Sequence, residues 1–148
     1  MKCSQPLRGA RGVVIDTNIL IYLFEDHPRY AEAAEFIIDA AASGMFSGVV
    51  TPVTVAELLV KPLQADRPDI ADRYRTALRH MQNVISGTLD AEIGAMAAAL
   101  RAKYGLPLPD MFQAAVALRS PTPIIITNDK AISRVTELTA VSLDDCLV

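Results

Sequence analysis

Short β-branched runs alternate with longer stretches of helical spacing along the whole chain. Val13-Val14-Ile15, bounded by Gly12, is uniformly apolar and too short for a helix, which predicts a buried central strand. Phe46 to Val50 predicts a second strand and Pro123 to Thr127 a third strong one, with a short strand from Val84 to Leu89 and a weak one near Val141. Between them lie helical patterns. One opens at Asp16 or Thr17, either of which suits an N-cap, and continues through Ile19 to Phe24. A second runs from Pro28 to about Ala42 and stops at Ser43-Gly44. Thr51-Pro52 starts a third, and an arginine-rich amphipathic helix spans Pro68 or Asp69 to about Met81. Asp90 caps an alanine-rich helix to Lys103. After Leu106-Pro107-Leu108-Pro109, another runs from Asp110 to about Leu118, and a short helix or turn follows from Asn128 to Arg134. Strands separated by helices imply an α/β three-layer sandwich. Its central sheet is mostly parallel, flanked by helices and joined by right-handed crossovers.

Composition narrows the class. Hydrophobic residues make up 51% of the 148, enough for one well-filled core, so residues 12–148 are expected to form a single domain. Met1 to Arg11 is basic and lacks an apolar stretch, so it reads as a mobile lead-in and not a signal peptide. Ile93 to Leu100 is about the longest apolar run, far short of the ~18 residues that span a bilayer, and no membrane partner is expected. Cys3 and Cys146 lie near opposite ends without metal-ligand spacing, which reads as reduced, incidental thiols in a cytoplasmic protein. A net charge of −3 does not advertise nucleic-acid binding.

The chemistry rests on four acids. Asp16 leaves the first buried strand, and Asp129 follows Ile124-Ile125-Ile126 through Thr127-Asn128. In a parallel sheet both emerge on one edge, where ligand sites gather in open α/β folds. Asp110 stands at a helix start, and Glu57 falls with Val53, Ala56 and Val60 on what reads as an apolar stripe. Helix capping accounts for each aspartate alone, and pairing at the edge of the stripe accounts for the glutamate. Their combination is the signal. Two carboxylates about 5 Å apart repel by roughly 3 kcal/mol at an effective dielectric near 20, so a cluster of four needs protonation or a divalent cation. Oxygen-only ligands favour Mg²⁺ or Mn²⁺ over zinc.

The segments Ile15-Asp16-Thr17-Asn18, Thr54-Val55-Ala56-Glu57-Leu58, Leu108-Pro109-Asp110 with Ala114-Ala115-Val116-Ala117, and Thr127-Asn128-Asp129 resemble the four signature segments of PIN-domain ribonucleases in order and spacing. The nearest branch is the VapC-type toxins of toxin–antitoxin pairs. The likeness runs from about Val13 to Leu143. It implies a PIN-like fold and a metal-dependent endoribonuclease in which Asp16, Glu57, Asp110 and Asp129 are catalytic and hold Mg²⁺ or Mn²⁺. Thr17, Asn18, Thr127 and Asn128 would be polar support. It further implies an RNA substrate, a cognate antitoxin that covers the cleft, and a homodimer. Two departures stand out: about a dozen residues precede the first strand, and Ile132 occupies a position often aromatic.

Cutting RNA with an acidic protein requires local positive charge, and Lys61, Arg119, Lys130 and Arg134 lie closest in sequence to the acids. His27 and His80 stand beside no second catalytic candidate and read as surface residues. A receiver domain is disfavoured because the second strand ends in Thr51-Pro52 with no acid. A haloacid-dehalogenase-type phosphatase is disfavoured because Asp16-Thr17-Asn18 lacks the second acid, and no Gly-x-Gly-x-x-Gly marks a dinucleotide site. The remaining rival is a catalytically silent PIN-like module that binds RNA or protein.

Overall fold

A computed structural model describes residues 3–147. Five strands, β1 (Val13–Ile15), β2 (Gly48–Val50), β3 (Val84–Ser86), β4 (Ile124–Ile126) and β5 (Thr139–Val141), form one sheet in the order β3-β2-β1-β4-β5. Every pairing is parallel; Val14 faces Val49 on one side and Ile125 on the other. The expected sheet is therefore present, and fully parallel. Among the described residues, seven helices flank it: α1 (Ser4–Leu7), α2 (Thr17–Phe24), α3 (Ala31–Ala42), α4 (Pro52–Gln64), α5 (Pro68–Arg79), α6 (Ala91–Tyr104) and α7 (Leu108–Arg119). Two 3-10 turns, Lys130–Arg134 and Leu143–Cys146, complete the described elements.

The uniformly apolar strands are buried on both faces because helices cover both. Val13 and Ile15 of β1 pack with Leu7, Ile19, Leu20, Ile37 and Leu143 on one side. Val14, between them in sequence, points the other way onto Ile93, Ala97, Met111 and Ala114. Ile132, in place of an aromatic residue, is 1% exposed within this second core.

Chain order decides where a site forms. From β1 the chain steps outward to β2 and β3, then crosses back to lay β4 on the other side of β1. The connections leaving β1 and β4 therefore diverge, and the crevice between these neighbours is the topological switch point of the sheet. The Asp16 amide donates to Ile126 O at 3.0 Å, so the two strand exits lie side by side.

Three expectations are corrected. From Cys3 onward the lead-in is not mobile: Leu7 is fully buried, and Gly9 N and Ser47 N bond across to Met45 O and Ala10 O. Met1 and Lys2 lie outside the described residues. Two apolar side chains, Leu7 and Ala10, anchor this segment, too few to register as a periodic pattern. The cysteines are not free thiols. Cys3 and Cys146 form a disulfide, with Cα atoms 5.1 Å apart across a separation of 143 residues, because α1 and the last 3-10 turn pack on the same face of the sheet. Finally, α7 begins at Leu108, two residues earlier than expected, since proline is accepted in the first helical turn where its missing N–H has no partner to lose.

Candidate active site

Asp16 is the N-cap of α2. Its Oδ1 accepts from Thr17 N at 2.8 Å and its backbone is extended, which turns the strand into the helix without a loop. It is 5% exposed, yet its carboxylate is well furnished with donors. Thr127 Oγ1 donates to Oδ2 at 2.7 Å, Gln113 Nε2 to Oδ1 at 3.3 Å, and Asn18 Nδ2 reaches Oδ2 at 3.5 Å. Burial pushes its pKa up and nearby Asp129 adds to the rise, while the Thr127, Thr17 and Gln113 hydrogen bonds restrain it.

Asp129 closes the opposite wall. Its Oδ1 accepts from Ala131 N at 2.9 Å, capping the 3-10 turn, and its own amide donates to Thr127 Oγ1 at 3.0 Å. Asn18 and Asn128 brace the two exits against each other, the Asn128 amide donating to Asn18 Oδ1 at 3.3 Å. Ser142 beyond β5 donates to Asn128 Oδ1 at 3.0 Å. All four expected supporting residues, Thr17, Asn18, Thr127 and Asn128, therefore stand in one hydrogen-bonded frame around Asp16.

Glu57 differs from the expectation that placed it on the buried stripe. It is exposed, as is Ala56, and Val60 is 49% exposed. The buried line of α4 is Thr54, Leu58 and Pro62, a set at four-residue spacing disguised by a threonine and a proline. Glu57 leans from that line over the crevice, where Thr17 Oγ1 donates to its Oε1 at 2.9 Å.

Asp110, in the first turn of α7, completes the group. Burial, then the charges of Asp16, Asp129 and Glu57 in turn, push its pKa from 3.8 up to about 6. Asp110 thus lies within electrostatic reach of each of the other three acids. Among the described residues, none of the ion pairs involves any of them. Nor do three or more carboxylates already converge there as a closed set of metal ligands. The donor chemistry nevertheless fits a hard divalent cation: four carboxylates, neutral amides and hydroxyls around them, and no histidine or thiol.

The basic candidates divide. Lys61 lines the same groove as Glu57, though its Nζ is paired with Glu25 at 2.9 Å. Lys130 lines the cavity beside Asp129. Arg134 donates to Tyr104 O at 3.4 Å, away from the acids. Arg119 is far removed. It ends α7, about nine residues or roughly 13 Å along the helix from Asp110, and pairs with Asp90 at 2.6 Å. Ser120, which caps the end of α7 beside Arg119, lies against Gly12 at the entry to β1, the end of that strand opposite Asp16. His27 packs its ring on Tyr22 and Tyr30, and His80 is exposed with its Nδ1 near Thr76 O; neither meets the acids.

Gln113 and Thr54 are the residues that sequence reasoning missed. Gln113 is 1% exposed and bonds to Asp16, Thr51 and Thr54. The available signal was a long amide heading the alanine-rich run Ala114 to Ala117, one helical turn after Asp110.

Comparison with known proteins agrees with this fold. A family model described as PIN domain matches residues 13–138. Among solved structures, VapBC2 from Rickettsia felis bound to a DNA fragment from the promoter aligns with TM-score 0.70 and 15% identity, covering 90% of this chain and 98% of that one. A toxin–antitoxin complex from Klebsiella pneumoniae aligns with TM-score 0.66 and 25% identity over 89% and 98%. VapBC-1 from nontypeable Haemophilus influenzae aligns with TM-score 0.64 and 24% identity over 91% and 98%. No curated protein matches the sequence. Because the family model spans the strand that ends at Asp16, the helix bearing Glu57, the Asp110 turn and the Asp129 exit, this chain belongs to the PIN domain family.

Proposed function

We propose that this protein is a Mg²⁺- or Mn²⁺-dependent endoribonuclease, the toxin of a VapBC-type toxin–antitoxin pair, acting in the cytoplasm. The observation that carries the reading is Asp110 at the switch point within electrostatic reach of Asp16, Asp129 and Glu57, with none of the four in an ion pair among the described residues.

Asp16, Asp110, Glu57 and Asp129 would hold the cation. When bound, it supplies positive charge to a phosphodiester and lowers the pKa of a water. The protein's own part is orientation. Asp16 is immobilised by donors from Thr17, Thr127 and Gln113, so its oxygens need little reorganisation when a ligand arrives. Glu57, exposed and held by a single hydroxyl, would complete the site and orient a water there. Lys130, which shares a cavity with Asp129, and Lys61, which shares a groove with Glu57, are basic side chains placed to meet the RNA backbone. Hydrolysis by water would leave a 5′-phosphate and a 3′-hydroxyl and would need no 2′-hydroxyl.

The partner reading draws on the similarity to VapBC complexes and on a groove beside Glu57. Ile21, Phe24, Leu58, Ile70 and Tyr74 line it, with Arg67 at its rim, which suits an apolar antitoxin segment. A homodimer belongs to the same reading, and Ile85 on the edge strand β3, 68% exposed, is apolar surface left for contact. Among the described residues no helix is long and apolar enough to cross a membrane.

The test is incubation with a mixed RNA pool in Mn²⁺, in Mg²⁺ and with EDTA. Cleavage that needs the metal and vanishes in Asp16→Asn supports the proposal. Tight RNA binding without cleavage under every metal condition would replace it with a silent binding module.

A further inference from the structure

Beyond the four acids, the one amide side chain buried against them is that of Gln113, 1% exposed among the described residues. We propose that Gln113 is a positioning residue that joins Asp16 to Glu57 through one directed chain of hydrogen bonds, so that the two carboxylates respond to a bound divalent cation as a unit. This deepens the nuclease reading and rests on it.

The direction of the chain follows from its ends. Gln113 Nε2 lies 3.3 Å from Asp16 Oδ1 and 2.7 Å from Thr54 Oγ1, and its Oε1 accepts from Thr51 Oγ1 at 2.5 Å. An ionised carboxylate only accepts, so the amino side of the amide must face Asp16; the flipped amide would set oxygen against oxygen. Thr54 Oγ1 then accepts from Gln113, and its single proton goes to Thr17 Oγ1, 2.8 Å away. Thr17 Oγ1, having accepted, gives its own proton to Glu57 Oε1 at 2.9 Å. Every hydroxyl in the path donates once and accepts once. Thr51 secures the far end by donating to the amide oxygen.

The placement is costly unless it serves something. An amide in a helix face otherwise made of Met111, Ala114, Ala115 and Ala117 is desolvated, and Leu or Met would fill the space without that penalty. All of the amide's polar atoms are satisfied by this path, and among the described residues no buried side-chain polar atom lacks a partner. Gln113 also lies one turn from Asp110 on α7, so one residue ties that helix to the exit of β1 and to α4.

The experiment uses the full chain, metal-free at the start. Mn²⁺ binding is measured by calorimetry, with kcat and KM for RNA cleavage and the melting temperature recorded alongside. Gln113→Met, which keeps volume and removes both donors, should weaken Mn²⁺ binding roughly 10- to 100-fold and lower kcat similarly, with KM for RNA unchanged. Thr54→Val breaks the next link, so the double variant should bind Mn²⁺ no worse than Gln113→Met alone. Thr51→Val loosens the amide from behind and should give a smaller loss in the same direction; it decides the matter if Gln113→Met does not fold. Folded variants that bind Mn²⁺ as the natural protein does, or losses that simply add in the double variant, overturn the role of Gln113 while leaving the nuclease reading intact. A natural protein that neither binds Mn²⁺ nor cuts RNA overturns both.

Discussion

Thr127 donates its hydroxyl to Asp16 Oδ2 at 2.7 Å, across 111 positions of the chain. Thr127 directly follows β4 and Asp16 directly follows β1, and the Asp129 amide donates to the same hydroxyl at 3.0 Å. One threonine therefore links both strand exits and an acid on each. Thr127→Val keeps the shape and removes the donor. Hydrogen bonds to charged groups contribute about 1.5–3 kcal/mol, so the variant should be destabilised by that order near neutral pH. The deficit should shrink in acid, because the lost donor favoured the charged carboxylate alone. Urea denaturation near pH 8 and near pH 4 checks this; equal deficits at both would contradict it.

Asp110 makes the metal-free protein sensitive to mild acid. Its pKa is pushed from 3.8 to about 6, so the folded state holds a proton that the unfolded chain has already released. A raised carboxylate pKa means that ionisation costs stability. The cost is absent below about 4, grows between 4 and 6, and is fully present above 6. After allowance for screening by water around this partly exposed group, it is about 1–2 kcal/mol. Asp110→Asn should therefore stabilise the metal-free chain near pH 8, leave it unchanged near pH 4, and abolish RNA cleavage. Mn²⁺ affinity of the natural protein should rise steeply up to about pH 6 and then level, since the ligand must be deprotonated.

The Cys3–Cys146 bridge closes a loop over nearly the whole chain, with a separation of 143 residues. Constraining so long a loop in the unfolded state contributes about 2–5 kcal/mol. Cys3→Ser should lower the melting temperature accordingly, and dithiothreitol should destabilise the natural protein but not the variant. Both sulfurs belong to residues no more than 2% exposed, so reduction should be slow until the ends open. A thiol titration that finds two free cysteines in the freshly purified protein would refute the bridge.

Gly12 has φ +71°, and a Cβ there would sit 2.8 Å from Ser120 Oγ. Gly12→Ala should cost about 2 kcal/mol or more, combining left-handed backbone strain with the clash. Gly12 precedes β1 and Ser120 follows α7, so the damage lies at the edge opposite the acids. Cleavage per folded molecule should be unchanged, while denaturation shifts to lower urea.

Much of the fold was legible because its determinants are local. The apolar runs around Val14, Val49 and Ile125 announced strands, and the first of them a buried central one. Asp16 and Asp90 announced helix starts, and both do accept from the amides of their own first turns. Elements resting on few residues escaped: α1 is four residues long, and β2, β3 and β4 proved shorter than the segments expected to form them. The Glu57 helix was read with the wrong buried face, since Thr54 is polar by composition yet fully buried by its partners.

By itself, the sequence determined the alternation of strands and helices, the parallel sheet and the presence of acids at strand exits and helix starts. Those depend on side-chain periodicity and on capping within a few residues. Only the tertiary structure decided which of them meet. The crossover from β3 to β4 put Thr127 on Asp16, set Gln113 between Asp16 and Thr54, sent Arg119 to the far edge and brought Cys3 to Cys146. Such contacts join residues tens to more than a hundred positions apart, and their strength comes from exclusion of water in a packed interior, which no local pattern encodes.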